Sequence, residues 1–293
     1  MAEQAPQFSM MEYVAIDLPF ADELAAFAAG GARGVGLSFF KPPRGRHGPM
    51  ARLAEEVQGS GLQVTYVWPQ VPSVLPIPGF AGPVDPAERV AAMIGSVESL
   101  AALRPLGIGC VTGPLAGYDT ARARQLVVDG LREVAQATRA AGLRLAIEPI
   151  HSQEADVFSF VATIADMVAL IEEIGEPGVG VIADFWHLYG QPNAAADLER
   201  HADQIFLVHL SDRRDPTRST CDRALPGDGI ADVVGMLRAL AAGGYSGWYE
   251  LEVLSDDGTF GHDFPDSLWR MHPRHLVELG RGKFLECHRR ATE

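Results

Sequence analysis

Five residues in the second half of the chain have side chains and settings suited to holding a cation. Glu148 lies in the apolar run LRLAIEPI (143–150), Asp184 in VGVIADF (179–185), His209 in IFLVHLSD (205–212), and Glu250 and Glu252 in GWYELEVL (247–254). Taken singly, each has an ordinary explanation. A strand-end aspartate is commonly a turn former or a helix N-cap, a histidine in an apolar run is commonly a satisfied core residue, and Glu148, just before Pro149, could form a strand-end ion pair. The recurrence carries the information: four successive apolar runs each deliver a carboxylate or an imidazole near the end. A buried carboxylate is costly unless paired or bound to a cation. Several converging on one point repel one another, so a divalent ion is the natural counter-charge. One imidazole with three carboxylates suits Mn²⁺ first, with Co²⁺, Mg²⁺ or Zn²⁺ as alternatives. His187, three residues past Asp184, can then face the open side of the ion.

The elements that must position these residues follow from the same pattern. Four more strand-like runs precede the first four: YVAID (13–17), GVGLSFF (34–40), LQVTYVW (62–68) and LGIGCVTG (106–113). Gly and Pro bound them, as in buried parallel strands. Helical patterns lie between. Leu126, Val127, Leu131, Val134 and Ala135 share a face, with Asp119 or Thr120 as cap and Gly142 as stop. Phe160, Ile164, Met167, Val168, Ile171 and Ile174 form a second stripe ended by Gly175; Val233, Val234, Leu237 and Leu240 form a third ended by Gly243-Gly244. Eight strands alternating with helices predict an α/β protein of the (β/α)₈ TIM-barrel class, whose chemistry sits at the C-terminal strand ends. A doubly wound sheet would carry a Gly-rich turn after its first strand, whereas YVAID is followed by LPFADEL. The chain is read as a single domain, 1–293, with a core over about 13–255 and a long C-terminal extension, 256–293. The irregular stretches 69–86 and 211–230 both follow strands, where barrel loops carry function.

With 47% hydrophobic residues, the 293-residue chain can bury a full core. Its net charge of −14 repels phosphate backbones and argues against a nucleic-acid partner. Cys110, Cys221 and Cys287 form no CxxC pair, which points to a reducing, cytoplasmic compartment. No signal peptide is expected, and no run is long enough to span a membrane.

AIEPIH, IADFWH, VHLSD with the later LPGDGIAD, and GYSGWYELEV together resemble the xylose isomerase-like TIM-barrel superfamily of sugar isomerases and epimerases. The likeness is specific over about 140–255 and architectural before that. It implies metal ligation by Glu148, Asp184, His209 and Glu252, the last because the family glutamate stands five residues after the glycine represented by Gly247. It implies that His187 touches substrate. It also implies substrate contacts for Glu154, six residues after Glu148, and for Arg218 in the loop after the seventh strand, preferred to Arg213 and Arg214.

The implied reaction is isomerisation or epimerisation of a keto sugar or related polyol, with Glu148 and Glu252 exchanging the proton α to a carbonyl. A lyase of the same superfamily is the alternative. It would expel water, as inosose dehydratases do, or the aglycone of a 3-keto C-glycoside, with His151 as an added acid or base. Trp68, Phe39-Phe40, Phe80 and the Pro-rich 69–86 loop could then cover a bulky substrate. An AP endonuclease is a remote alternative, because Phe39-Phe40-Lys41 and Tyr66-Val67-Trp68 supply no further ligands at the second and third strands. A non-catalytic sugar-binding role fits four ligand-type residues poorly. The basic loop RGRHGP (44–49) could meet a substrate phosphate but is more simply a solvated loop. The expected partner is a small carbohydrate, with a homo-oligomer or partner subunit also possible.

Overall fold

The computed structural model describes residues 5–15, 18–39 and 48–293. Seven parallel strands come first: β1 (Gln7–Met11), β2 (Gly34–Ser38), β3 (Gln63–Trp68), β4 (Gly107–Cys110), β5 (Arg144–Ile147), β6 (Val179–Asp184) and β7 (Ile205–Leu210). A short antiparallel ribbon follows, β8 (Asp212–Arg213) with β9 (Arg223–Ala224), and then β10 (Trp248–Leu251). β10 pairs with both β7 and β1 and closes an eight-stranded parallel barrel, the expected fold. Its strands read as apolar runs because helices cover their outer faces.

The helices are α1 (Phe20–Ala29), α2 (Met50–Ser60), α3 (Pro86–Ala101), α4 (Thr120–Ala140), α5 (Ile164–Ile174), the one-turn α6 (Phe185–Leu188), α7 (Ala194–Arg200), α8 (Val233–Ala242) and α9 (Pro273–Thr292). Their starts follow capping chemistry. Asp119 accepts the N–H of Arg122 at 2.9 Å and starts α4, while Thr163 accepts that of Asp166 at 3.0 Å and starts α5. Phe160 therefore precedes α5 rather than joining its stripe. Gly175 stops α5 in a left-handed conformation, φ 70°.

The first strand is not YVAID. QFSMM, residues 7–11, takes its place, and Glu12–Ala15 form a 3₁₀ turn; residues 16–17 lie outside the described residues. The barrel core accordingly begins at Gln7. QFSMM interrupts its apolar run with a serine that faces the barrel interior, donating to Glu250 Oε2 at 3.0 Å, while Phe8 stacks on Phe284 of α9 with centroids 5.8 Å apart. The run expected to extend through Phe40 is a strand only to Ser38; Phe40, Lys41 and residues 44–47 of the basic loop lie outside the described residues.

The C-terminal segment has two parts. Asp256 accepts the backbone N–H groups of Gly258, Phe260 and His262 and folds the loop that follows β10. α9 then packs against both α8 and α1 and closes the ring of helices, extending past the barrel strands. No described helix is long and apolar enough to cross a membrane. The three cysteines are buried and form no disulfide.

Candidate metal centre

Glu148, Asp184, His209 and Glu252 meet at the C-terminal mouth of the barrel, each offering a ligand atom within 4.8 Å of the others. Among the described residues they are the one such group. Glu148 directly follows β5, Asp184 ends β6, His209 lies in β7 and Glu252 directly follows β10. The ladder holds the two glutamates in place: Glu148 N donates to Cys110 O at 2.9 Å and Glu252 N to Leu210 O at 3.0 Å. The period of a strand sends both Glu250 and Glu252 inward, so neither faces a helix, while Leu251 between them packs at Gly280 of α9.

Asp184 combines the ordinary role with the functional one, an oxygen for each. Oδ1 caps α6 by accepting the Trp186 N–H at 2.8 Å, and Oδ2 faces the cluster. His209 Nδ1 lies 3.0 Å from Glu148 Oε1 and 3.4 Å from Glu252 Oε2. Arg223 Nη1 is the cation now facing the carboxylates, 2.8 Å from Asp184 Oδ2 and 2.9 Å from Glu252 Oε2. The three buried carboxylates outnumber the one guanidinium, and a divalent ion would supply further positive charge among them.

The electrostatics follow. Burial pushes the Glu148 carboxyl up to about 7, with His209 pulling the other way. Burial disfavours a charged His209, but Glu252 and Glu148 outweigh it and raise its pKa well above the usual histidine value. His187 moves in the opposite direction, lowered well below that value by burial and by Arg223. Its Nδ1 accepts the His151 N–H at 3.3 Å, so the ring proton of the neutral form sits on Nε2, 3.5 Å from Asp184 Oδ2.

Glu148, His187 and Glu252 border a cavity also lined by Trp68, Glu154, Arg223, Tyr13 and Ile77. The Trp68 ring lies 6.3 Å from that of His209. Phe158 on the cavity wall packs against Phe80, centroids 5.7 Å apart, and Phe80 lines a neighbouring cleft with Pro76 and Pro78 of the Pro-rich loop.

Two candidates are placed elsewhere. Arg218 does not border the cavity: Asp222 captures it at 2.7 Å, Asp266 binds it at 3.0 Å, and its guanidinium lies over the Phe264 ring. His151 turns its Nδ1 to the Gln153 N–H at 3.1 Å, capping a 3₁₀ turn, and its ring is not part of the cavity wall. Arg223, which no strand pattern in the sequence marks, is the arginine that does reach the centre. The signal lay in its neighbours: Arg223 is set between Cys221 and Leu225, whereas Arg213, Arg214 and Arg218 stand among polar residues. The β8–β9 ribbon turns it inward. Asp212 fastens that ribbon from below, accepting the backbone N–H groups of Arg213, Gly227, Gly229 and Ala231 at 2.7–3.0 Å.

A closed parallel barrel with its polar cluster at the C-terminal mouth defines the TIM-barrel class. The chain belongs to the xylose isomerase-like TIM-barrel family, whose description matches residues 24–279. Over 140 residues, 45% of this chain, it is 31% identical to the 3-dehydroshikimate dehydratase of Pseudomonas putida, and over 130 residues, 43% of the chain, 28% identical to the inosose isomerase of Halalkalibacterium halodurans. Those matches span only 21% of the dehydratase and 45% of the isomerase. Protein SMc04130 of Sinorhizobium meliloti superposes with a TM-score of 0.80 at 25% identity, covering 97% of this chain and 99% of that one. The IOLI protein, solved with a zinc atom, shares the fold at a TM-score of 0.77 and 16% identity, with 96% and 98% of the two chains covered.

Proposed function

We propose that the protein is a divalent-metal-dependent isomerase or epimerase acting on a keto sugar or related polyol. The observation that carries this reading is the convergence of Glu148, Asp184, His209 and Glu252 within 4.8 Å beside a cavity that Glu148 and Glu252 line. These four would hold the ion, Mn²⁺ first, with Co²⁺, Mg²⁺ or Zn²⁺ as alternatives. When bound, the ion supplies Lewis-acid polarisation of a substrate carbonyl. Glu148 and Glu252 reach the centre from different strands, so one can take the proton α to that carbonyl and the other can return one. His187 presents an Nε2–H to a substrate oxygen, while Glu154 and Trp68 contact the sugar from the cavity wall. Arg223 supplies positive charge beside Glu252 for an oxygen that gains electron density. The protein is read as a single-domain cytoplasmic enzyme.

The second reading is a lyase of the same family, which eliminates water or an aglycone β to the carbonyl. The likeness to 3-dehydroshikimate dehydratase favours it. His151 stands off the cavity, so in this reading a cavity residue such as Glu154 would protonate the leaving group. One experiment tests both. The Mn²⁺-loaded protein is incubated in D₂O with ketoses, inososes, 3-keto glycosides and 3-dehydroshikimate. Deuterium at an α-carbon without loss of substrate atoms supports isomerisation; loss of water or an aglycone supports elimination. Neither exchange nor product across the panel removes both.

A further inference from the structure

We propose that Glu250 is a positioning residue that sets the tautomer of His209, so that the ring's Nδ1 lone pair points at the metal centre. The inference rests on the metal-binding reading of that centre and extends it one layer down the barrel. Glu250 lies on β10 opposite His209 of β7 and Ser9 of β1, and it is fully buried. Its two oxygens are treated differently. Oε2 accepts hydrogen bonds from the hydroxyls of Ser9 and Thr65. Oε1 has no hydrogen-bond partner, and neither does His209 Nε2, which lies 3.5 Å away. The separation is slightly longer than that of a formed hydrogen bond, and each atom is the other's available partner.

Two further observations place the carboxylate there by design of the sequence. Gly36 of β2 leaves room for it: a Cβ at that position would collide with Glu250 Oε1. The other ring nitrogen of His209 is already committed, with Nδ1 facing Glu148 and Glu252. An imidazole ligand must offer a lone pair on the nitrogen that meets the ion, so its proton must sit on the other. A buried carboxylate beneath Nε2 favours that tautomer and holds the ring plane. Ser9 and Thr65 hold the carboxylate in turn. Glu250 is therefore set apart from the ligand set: the His209 ring lies between it and the other carboxylates.

The test compares the unaltered chain with Glu250→Gln, which keeps an acceptor oxygen, and Glu250→Met, which keeps the length but removes it. Co²⁺ and Zn²⁺ affinities are measured by chelator competition, and the His209 protonation site is read by ¹⁵N NMR of the zinc-loaded protein. The expected results are a proton on Nε2 in the unaltered chain, a 10–100-fold loss of affinity in Glu250→Met, and a smaller loss in Glu250→Gln with the Nε2 proton retained. A folded Glu250→Met with unaltered affinity overturns the proposal. So does a zinc-loaded unaltered chain with its proton on Nδ1, a result that needs no variant to fold. If the unaltered chain binds neither ion, the metal reading itself falls and takes this proposal with it; if it binds them and Glu250→Met binds equally well, only the role of Glu250 falls.

Discussion

Arg223 Nη1 stands 2.8 Å from Asp184 Oδ2, on the same side of the cluster as Glu252 Oε2 at 2.9 Å. A buried guanidinium thus already neutralises part of the acidic centre. Removing one partner of a buried ion pair leaves an uncompensated charge. Arg223→Ala should lower the stability of the metal-free protein by roughly 3 kcal/mol, read by urea unfolding in the presence of chelator. The loss should shrink when Mn²⁺ is added. A variant as stable as the unaltered protein in chelator would show that the pairing contributes nothing.

His209→Ala and Glu252→Gln should each lose bound metal on elemental analysis after dialysis. Ion binding to the native state alone stabilises by about 2.7 kcal/mol at 100 times Kd. Mn²⁺ should therefore raise the Tm of the unaltered protein and not that of these variants. Full metal content in both would remove the site.

Metal affinity should depend on pH with a definite sign. Burial raises the Glu148 carboxyl to about 7, and its neighbours raise His209 well above its ordinary value. Protons therefore compete with the ion at neutral pH, and binding must release them. Apparent affinity, measured by calorimetry from pH 8 down to pH 6, should fall as the pH falls, with net proton release in buffers of differing ionisation enthalpy. Affinity that stays flat or rises would contradict the assigned ligands.

His187 and Arg218 should separate cleanly. His187→Ala should retain metal yet lower kcat/KM by ~10²-fold, a loss of roughly 2.7 kcal/mol of transition-state stabilisation. Arg218→Ala removes ion pairs to the buried Asp222 and the exposed Asp266, while Arg214 stays 3.0 Å from Asp222 and keeps that carboxylate paired. It should leave kcat/KM within about twofold and cost no more than ~1 kcal/mol of stability. A large kinetic effect at Arg218 would mean that the loop closes over substrate and brings the guanidinium in.

The residues that were legible in the sequence are those whose position follows from strand periodicity. Glu148, Asp184 and His209 come near the ends of apolar runs, and in a parallel barrel those ends share a level. The first strand was misplaced because Ser9 breaks its apolar run to serve Glu250, while the more continuous YVAID looked better suited. Arg223 was hidden for a different reason. It reaches the centre through a two-residue ribbon whose pairing is a tertiary choice, and no period in the sequence encodes it. Glu250 and Glu252 share a face by spacing alone; their different depths emerge only when the barrel closes.

The fastening of the β8–β9 ribbon by Asp212 also bears on how this fold can diversify. Its carboxylate anchors residues 227–231, and Arg223 is fixed by pairing with Arg213, so residues 214–219 leave and return to tethered points. Doubling such a loop costs only ~0.6 kcal/mol of closure entropy. That stretch is a splice point at the rim, where longer sequences could be grafted to reshape what enters the cavity while the charged floor beneath stays in place.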